Sequence, residues 1–160
     1  MVNFENLTAV HLEWLRGAQP IDWHRSVLTF NFDADLAPLV WIASQPRCDL
    51  GTAITIYYMG QPDFFGQYAS MAEIEAQVGY ELPTAELLEL VANRVSEGLY
   101  RDANLKPYII ECRNEKAGTP PWPVPSALRN PKMIGLDVLP VGFTEGLPNA
   151  MLHQANDLDI

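Results

Sequence analysis

The sequence predicts a mainly α-helical fold, a compact stack of short antiparallel helices followed by a proline-rich irregular segment. Apolar residues recur at helical spacing through most of the first 100 positions. Three expected helices begin at an aspartate, and the short links between them make neighbouring helices antiparallel or steeply crossed. Eight of the thirteen prolines follow residue 100, and proline disfavours long helices there.

Residues 45–59 are the stretch around which the helical part is expected to form. Asp49 follows a proline-marked turn and is predicted to be a helix N-cap, because its carboxylate can accept the free N–H groups of the first turn. The predicted helix then has one apolar stripe, made of Leu50, Ala53, Ile54 and Tyr57. Its threonines and isoleucines are poor helix formers, so packing is expected to hold it.

The other helices are predicted from the same periodicity. They are expected over residues 6–17, from Asp22 onward, and over residues 36–44, 70–78 and 84–97. The expected N-caps are Asn6, Asp22, either Asp33 or Asp35, and Ser70. In the third helix Leu39, Val40 and Ala43 are expected to point inward. The first four helices are expected to pack around Trp14, Trp23, Trp41, Ile54 and Tyr57.

Residues 101–160 are expected to wrap the helical body formed by residues 1–100, in a single domain. Residues 108–112 and 134–138 have the apolar pattern of short strands, which allows one short β pair. Residues 119–125 resemble an extended polyproline segment anchored by Trp122. The last ten residues are expected to fray.

The charge distribution bears on the class of partner. The net charge is −10, and residues 51–100 hold seven acids against Arg94 alone. This argues against nucleic acid as a partner and permits a basic protein, although an acidic surface also serves solubility alone. No apolar run is long enough for a membrane helix, the N-terminus does not resemble a secretory signal, and two cysteines form no disulfide framework. We therefore expect a cytoplasmic protein without a membrane partner.

Catalytic and metal-binding constellations are weak. Cys48 precedes a helix start and could pair with His24 as a nucleophile, but the neighbouring Asp49 would raise its pKa. His11, His24, His153, Cys48 and Cys112 do not stand at the spacings of known metal motifs, and no glycine-rich phosphate loop is present. We predict no catalytic residue, no metal site and no cofactor.

The stretch from Asp22 to Pro62 carries a specific motif, Pro-x-Cys-Asp-x-Gly-Thr-Ala. The residues of the motif and of its surroundings that carry a family resemblance are Asn31, Asp33, Trp41, Ile42, Gln45, Pro46, Cys48, Asp49, Gly51, Thr52, Ala53, Ile56, Tyr57 and Pro62. On these residues the chain resembles the bacterial domain of unknown function 4274 family. Weaker similarities extend the resemblance to about residues 20–130, at Glu89, Arg94, Gly98, Tyr100, Trp122, Val124 and Pro125. The chain departs from the family where Asp33-Ala34-Asp35 replaces a more usual Trp-Asp-Asp.

The resemblance implies no established activity. Small, acidic, cytoplasmic domains of this kind are similar to immunity proteins, which neutralise bacterial toxins. By that analogy we expect a non-enzymatic protein-binding domain that inhibits a cognate toxin, with a basic toxin domain as partner. The alternatives are a small cytoplasmic hydrolase or transferase that uses Cys48 or a carboxylate pair, and a structural subunit of a larger assembly. The motif residues themselves look structural.

An acidic surface with aromatic anchors is the expected partner-binding site. Three aromatic residues lie in a glycine-flanked loop, and the acids around them include three on one face of the helix at 84–97. Aromatic anchors inside a charged rim are typical of interface hot spots. The predicted site consists of Asp63, Phe64, Phe65, Tyr68, Glu73, Glu75, Glu86, Glu89 and Glu97. Alternatively, Phe64 and Phe65 fill the core beneath the loop.

Overall fold

A computed structural model describes residues 4–102, 104–109 and 118–152. It confirms the mainly helical class. The long helices are α1 (Phe4–Gly17), α2 (Pro20–Leu28), α3 (Ala37–Ala43), α4 (Leu50–Met59), α5 (Met71–Val78) and α6 (Leu82–Ser96). Short 3-10 helices cover Pro62–Gln67 and Gly79–Glu81, and a single turn, α7, covers Ser126–Arg129. Within these ranges no helix is both long enough and apolar enough to cross a membrane.

Helix α4 lies at the centre of the fold. It packs against α2, α3 and α6, while α1 packs against α3 and α5 against α6. All residues from 51 to 57 are buried, so α4 is covered on every side rather than along one stripe. This burial explains how a helix rich in β-branched residues is stable, because the surrounding apolar contacts outweigh its weak intrinsic propensity. Trp23, Ile54 and Tyr57 are buried as predicted, whereas Trp14 and Trp41 are half-buried.

Several helix starts differ from the prediction. Helix α1 already begins at Phe4, so Asn6 lies inside it. Helix α2 begins at Pro20, since a proline fits the first helical position, and Asp22 falls in its first turn. The Asp22 carboxylate instead pairs with Arg25, at 2.7 Å. Asp35, the second of the two proposed caps of α3, accepts the Ala37 N–H at 2.9 Å.

The β structure lies at a different place from the one predicted. β1 (Phe143–Thr144) and β2 (Leu147–Pro148) form an antiparallel pair. Their two-residue turn, Glu145-Gly146, has positive φ at both residues, as a tight hairpin requires. The strand predicted over 134–138 is wrong, because only Leu136 forms a bridge, to Leu105. Residues 108 and 109 form no strand, and residues 110–112 lie outside the described residues.

The described part of residues 101–152 contacts the helical body at several points. Trp122 is buried, and its indole N–H donates to the Tyr57 hydroxyl at 3.1 Å. The Tyr58 hydroxyl donates to the Leu128 carbonyl oxygen. Gly146 is buried against His11, Phe30 and Ser26. Most of the last ten residues, which were expected to fray, lie outside the described residues.

Candidate functional site

Asp49 joins two parts of the chain. Its carboxylate accepts the Gly51 N–H at 2.8 Å, which confirms the predicted N-cap of α4. It also accepts the N–H groups of Asn104 at 2.9 Å and Leu105 at 3.3 Å. Arg101 bridges to Asp49 through backbone hydrogen bonds on either side of it. Asp49 is only 5% exposed. Its carboxylate is therefore an internal clamp between α4 and residues 104 and 105, and it is not accessible to a ligand.

Gly51 lets the clamped segment approach α4 closely. A Cβ atom at this position would lie 1.8 Å from the Leu105 carbonyl oxygen, which belongs to the backbone and cannot swing away. One turn later, the Thr55 hydroxyl donates to the Gly51 carbonyl oxygen at 2.7 Å and accepts the Tyr108 N–H at 3.0 Å. The glycine of the motif is therefore required by packing.

Gly51→Ala is expected to lower the free energy of unfolding by about 1–3 kcal/mol, because the new methyl group forces Leu105 away from α4. Gly79→Ala is the matched control, since no atom lies within 4 Å of its added Cβ and its φ of −53° suits alanine. Urea unfolding measures both variants. Equal stability of the two would show that the close approach at Gly51 does not matter.

His24 and Thr52 form a second buried contact of the motif. The His24 Nδ1 and Thr52 Oγ1 atoms are 2.8 Å apart, and His24 also has a backbone hydrogen bond with Lys106. Burial lowers the pKa of His24 to about 4, although the nearby Asp49 charge acts in the opposite direction. The imidazole is therefore neutral at physiological pH and serves to connect α2, α4 and the segment after residue 101.

The position of Cys48 in the fold makes its thiol unreactive. Its side chain is fully buried, and its hydrogen-bonding contact is with the Asp49 carbonyl oxygen. Burial, followed by the Asp49 charge, raises the pKa of the Cys48 thiol to about 12. Both effects disfavour the thiolate, which is the nucleophilic form. His24 bonds to Thr52 instead of activating Cys48.

Cys48 is expected to alkylate at least about 1,000-fold more slowly in the native state than in urea at pH 8, because the reagent must wait for opening of the fold. The Cys112→Ser variant leaves Cys48 as the only cysteine. Rapid native labelling in that variant would support the enzyme alternative.

The aromatic loop of the predicted partner-binding site is largely part of the core. It forms the 3-10 helix Pro62–Gln67, in which Phe65 is 1% exposed and packs on Trp122 at 5.7 Å between ring centroids. Tyr68 is buried as well. Phe65 and Tyr68 are thus unavailable as surface anchors, a correction to the predicted site. Phe64 and Asp63 are half-buried.

The predicted acids have different environments. Glu75, Glu86 and Glu97 are exposed, whereas Glu89 is half-buried rather than exposed as expected. Glu73 is half-buried and forms hydrogen bonds within its own segment. Its carboxylate accepts the Ala69 N–H at 2.6 Å, and its backbone N–H donates to the Ser70 hydroxyl oxygen at 3.1 Å. The Ser70 side chain thus caps α5 as predicted, while the Glu73 carboxylate reaches back to the residue before the cap.

An apolar groove of about 760 Å³ has Glu86, one of these acids, in its lining. It lies between α1, α3 and α6, and its apolar lining includes Leu12, Val40, Trp41 and Leu90. Glu86 and Asp35 contribute acids to its lining, and Arg16 a base. Val40 is 40% exposed, which corrects the prediction that it points inward. Trp41 is held by an edge-on contact with Trp23, at 5.2 Å between ring centroids.

The groove was not predicted from the sequence. Its lining residues come from three helices that are distant along the chain, and Trp41 and Val40 were assigned to the core. No local signal in the sequence marks the groove, because its lining depends on how α1, α3 and α6 are arranged.

Residues 18–96 match the family model described as Domain of unknown function (DUF4274). Residues 18–96 form a domain of the DUF4274 family. The matched range covers α2 to α6 and includes the whole motif around Asp49. The weaker similarities from Gly98 to Pro125 lie beyond it. Comparisons with curated proteins and with solved structures give no match.

The geometry gives the Pro-x-Cys-Asp-x-Gly-Thr-Ala motif a structural role. Asp49, Gly51 and Thr52 hold α4 against α2 and against residues 104 and 105, and Cys48 is packed in the core. In the described part of the chain, no three His, Cys, Asp or Glu residues are grouped as a metal site would require. The groove, in contrast, is open to solvent at Val40. Its lining extends from the DUF4274 range into α1 through Leu12 and Arg16.

Proposed function

We propose that this DUF4274 protein is a non-enzymatic binding domain, an immunity-type inhibitor that blocks a basic toxin by direct binding. The observation that carries the proposal is the apolar groove between α1, α3 and α6, bordered by Glu86. Trp41, fixed by Trp23, lies beside the exposed Val40 and offers an anchor for a partner, because hot spots are enriched in tryptophan and lie in desolvated pockets.

Exposed acids between residues 75 and 97 support a basic partner. Glu75 is exposed on α5, Glu86 on α6 in the lining of the groove, and Glu97 directly after α6. Among the described residues none of these three forms an ion pair. Arg94, the only base of residues 51–100, is partly buried with its guanidinium 5.2 Å from the Tyr100 ring centroid. The acids of this surface are therefore not neutralised from within the same stretch.

Direct occlusion requires no chemistry from the inhibitor. The burial of Cys48, the nucleophile that the enzyme alternative would use, supports a binding role. A binding role needs only a stable surface, which the packing of α3 and α6 around α4 supplies. The cytoplasmic location expected from the sequence is part of this proposal, since the inhibitor must meet its partner there.

The triple variant Glu86→Lys, Glu89→Lys and Glu97→Lys tests the charge component. Surface plasmon resonance measures binding to the protein encoded beside this gene, which serves as the partner in this test. We expect the association rate to fall at least about tenfold at low salt, and the difference to shrink as salt is added. Asp102→Lys is the control for one such charge reversal, because Asp102 is exposed outside α5 and α6.

Val40→Asp tests the apolar component. A charge placed in the groove should raise the dissociation constant at least about tenfold, mainly through faster dissociation. Circular dichroism checks that both variants remain folded. Wild-type affinity and association rate in the triple variant, together with wild-type affinity in Val40→Asp, would contradict the proposed surface.

A further inference from the structure

A second unpartnered surface lies outside α1–α6. It is the strip of residues 133–141, called here the C-terminal strip. Its exposed large apolar residues are Met133, Ile134, Leu136, Leu139 and Val141, with exposed fractions from 46% to 77%. In the described part of the chain, five of the nine exposed large apolar side chains fall within these nine residues. Concentrated apolar exposure of this kind marks an interaction site.

The strip is held in place by the rest of the fold. The Leu136 N–H donates to the Asn104 carbonyl oxygen, and its carbonyl accepts the Lys106 N–H, both at 2.9 Å. The Arg25 guanidinium donates to the Leu139 carbonyl oxygen at 3.4 Å. Because its backbone is fixed on both sides of Asp137, the strip can be buried by a partner at a small ordering cost.

A hollow of about 420 Å³ lies beside the strip. The strip contributes Leu136, Val138, Leu139 and Val141 to its lining, and Ile21 and Phe143 complete the apolar part. The same surface thus combines exposed apolar side chains with an apolar recess. A surface with both features can be complementary to itself, which is the requirement of a twofold interface.

Local charge also favours a second copy. Two chains with a net charge of −10 repel each other over most of their surfaces. At the strip, however, Arg25 is paired with Asp22 at 2.7 Å and Lys106 with Asp137 at 3.7 Å. Lys132 adds a positive charge at its edge. Two copies can therefore approach here without the repulsion expected between their acidic helices α5 and α6.

We propose that the C-terminal strip pairs with the same strip of a second copy in a twofold-symmetric dimer. Leu139 and Val141, its most exposed large apolar residues, enter the hollow of the other copy. This interface goes beyond the proposed inhibitory function and leaves the groove between α1, α3 and α6 open for a different protein.

The test is sedimentation velocity of the full chain from about 1 µM to about 1 mM. We expect reversible dimers, and a dissociation constant raised at least about 100-fold by Leu139→Glu with Val141→Glu, since symmetry buries each new charge twice. Tyr80→Glu is the control, because Tyr80 is 81% exposed outside the strip and its replacement should leave the dimer intact.

Amide hydrogen exchange localises the interface. Protection of residues 133–141 should increase with protein concentration, and the double variant should abolish that increase. A chain that stays monomeric throughout the range would overturn the proposal. Dimers that persist unchanged in the double variant, or concentration-dependent protection confined to other residues, would overturn it as well.

Discussion

Asp49→Ala is expected to lower the free energy of unfolding by about 3 kcal/mol or more. The loss of the α4 cap accounts for about 0.5–2 kcal/mol of this. The remainder arises because the N–H groups of Asn104 and Leu105 lose their acceptor, and Leu105 is buried where water cannot replace it easily. The effect therefore exceeds that of an ordinary cap.

Asp35→Ala is the matched control for this experiment. Asp35 accepts a hydrogen bond from Ala37 at the start of α3, but it is exposed. Its replacement should cost about 1 kcal/mol, the effect of a helix-start contact alone. Urea unfolding at pH 7 measures both variants. If Asp49→Ala is as stable as Asp35→Ala or more stable, the contacts of Asp49 with residues 104 and 105 contribute nothing to the free energy of unfolding.

Acidification from pH 6.5 to pH 4 is expected to remove about 5 kcal/mol of stability through two buried histidines. Burial lowers the pKa of both His11 and His24 to about 4, from 6.5. Between these values the unfolded chain binds protons that the folded chain does not, so stability falls as pH falls. Above about pH 7.5 both imidazoles are neutral in both states, and their contribution to stability is constant.

The groups that face each histidine determine the size of this effect. His11 lies 2.9 Å from the Ser26 hydroxyl, has a backbone hydrogen bond with Gly146, and contacts the Trp14 and Phe30 rings. These neighbours carry no charge to stabilise an imidazolium. His24 faces Thr52 and experiences both Asp49 and Arg25.

His11→Gln and His24→Gln separate the two contributions. Each substitution should remove about half of the histidine-dependent loss between pH 6.5 and pH 4. Urea unfolding at pH 7.5, 6.5, 5.5 and 4.5 measures the difference between each variant and the wild type. A pH-independent difference for both variants would show that neither histidine is shielded from protonation by the fold.

The helical part of the fold could be predicted because local signals agree there. Asp49 is followed by helical apolar spacing, and Ser70 is followed three residues later by Glu73, as a capping box requires. Where two local signals competed, the prediction was wrong. Asp22 was assigned as a cap, but Pro20 starts α2 earlier, because its fixed φ suits the first helical position.

The β structure depended on information that the local pattern lacks. Residues 134–138 alternate as a strand does, yet a strand also needs a partner, and only Leu136 finds one at Leu105. The observed hairpin depends on Glu145-Gly146, whose positive φ values make a two-residue turn possible. That turn was detectable in the sequence through its glycine.

The candidate site could be predicted only for its charge. The exposure of Glu86 on α6 and of Glu97 directly after it follows from the helical periodicity, and both were predicted correctly. The loop aromatics could not be assigned, because Phe65 is covered by Trp122 from a distant part of the chain. The groove at Trp41 depends on how α1, α3 and α6 are arranged, which no local pattern encodes.

Amide hydrogen exchange at Asn104 and Leu105 tests most directly whether Asp49 of the Pro-x-Cys-Asp-x-Gly-Thr-Ala motif holds the segment after residue 101 against α4. In the wild type both amides should be protected, since they donate to the buried Asp49 carboxylate. In Asp49→Ala, their protection should fall at least about tenfold more than that of Ile54 in α4 and Val91 in α6, because the segment after residue 101 opens locally. Unchanged protection of Asn104 and Leu105 relative to the core would contradict a structural role for the motif.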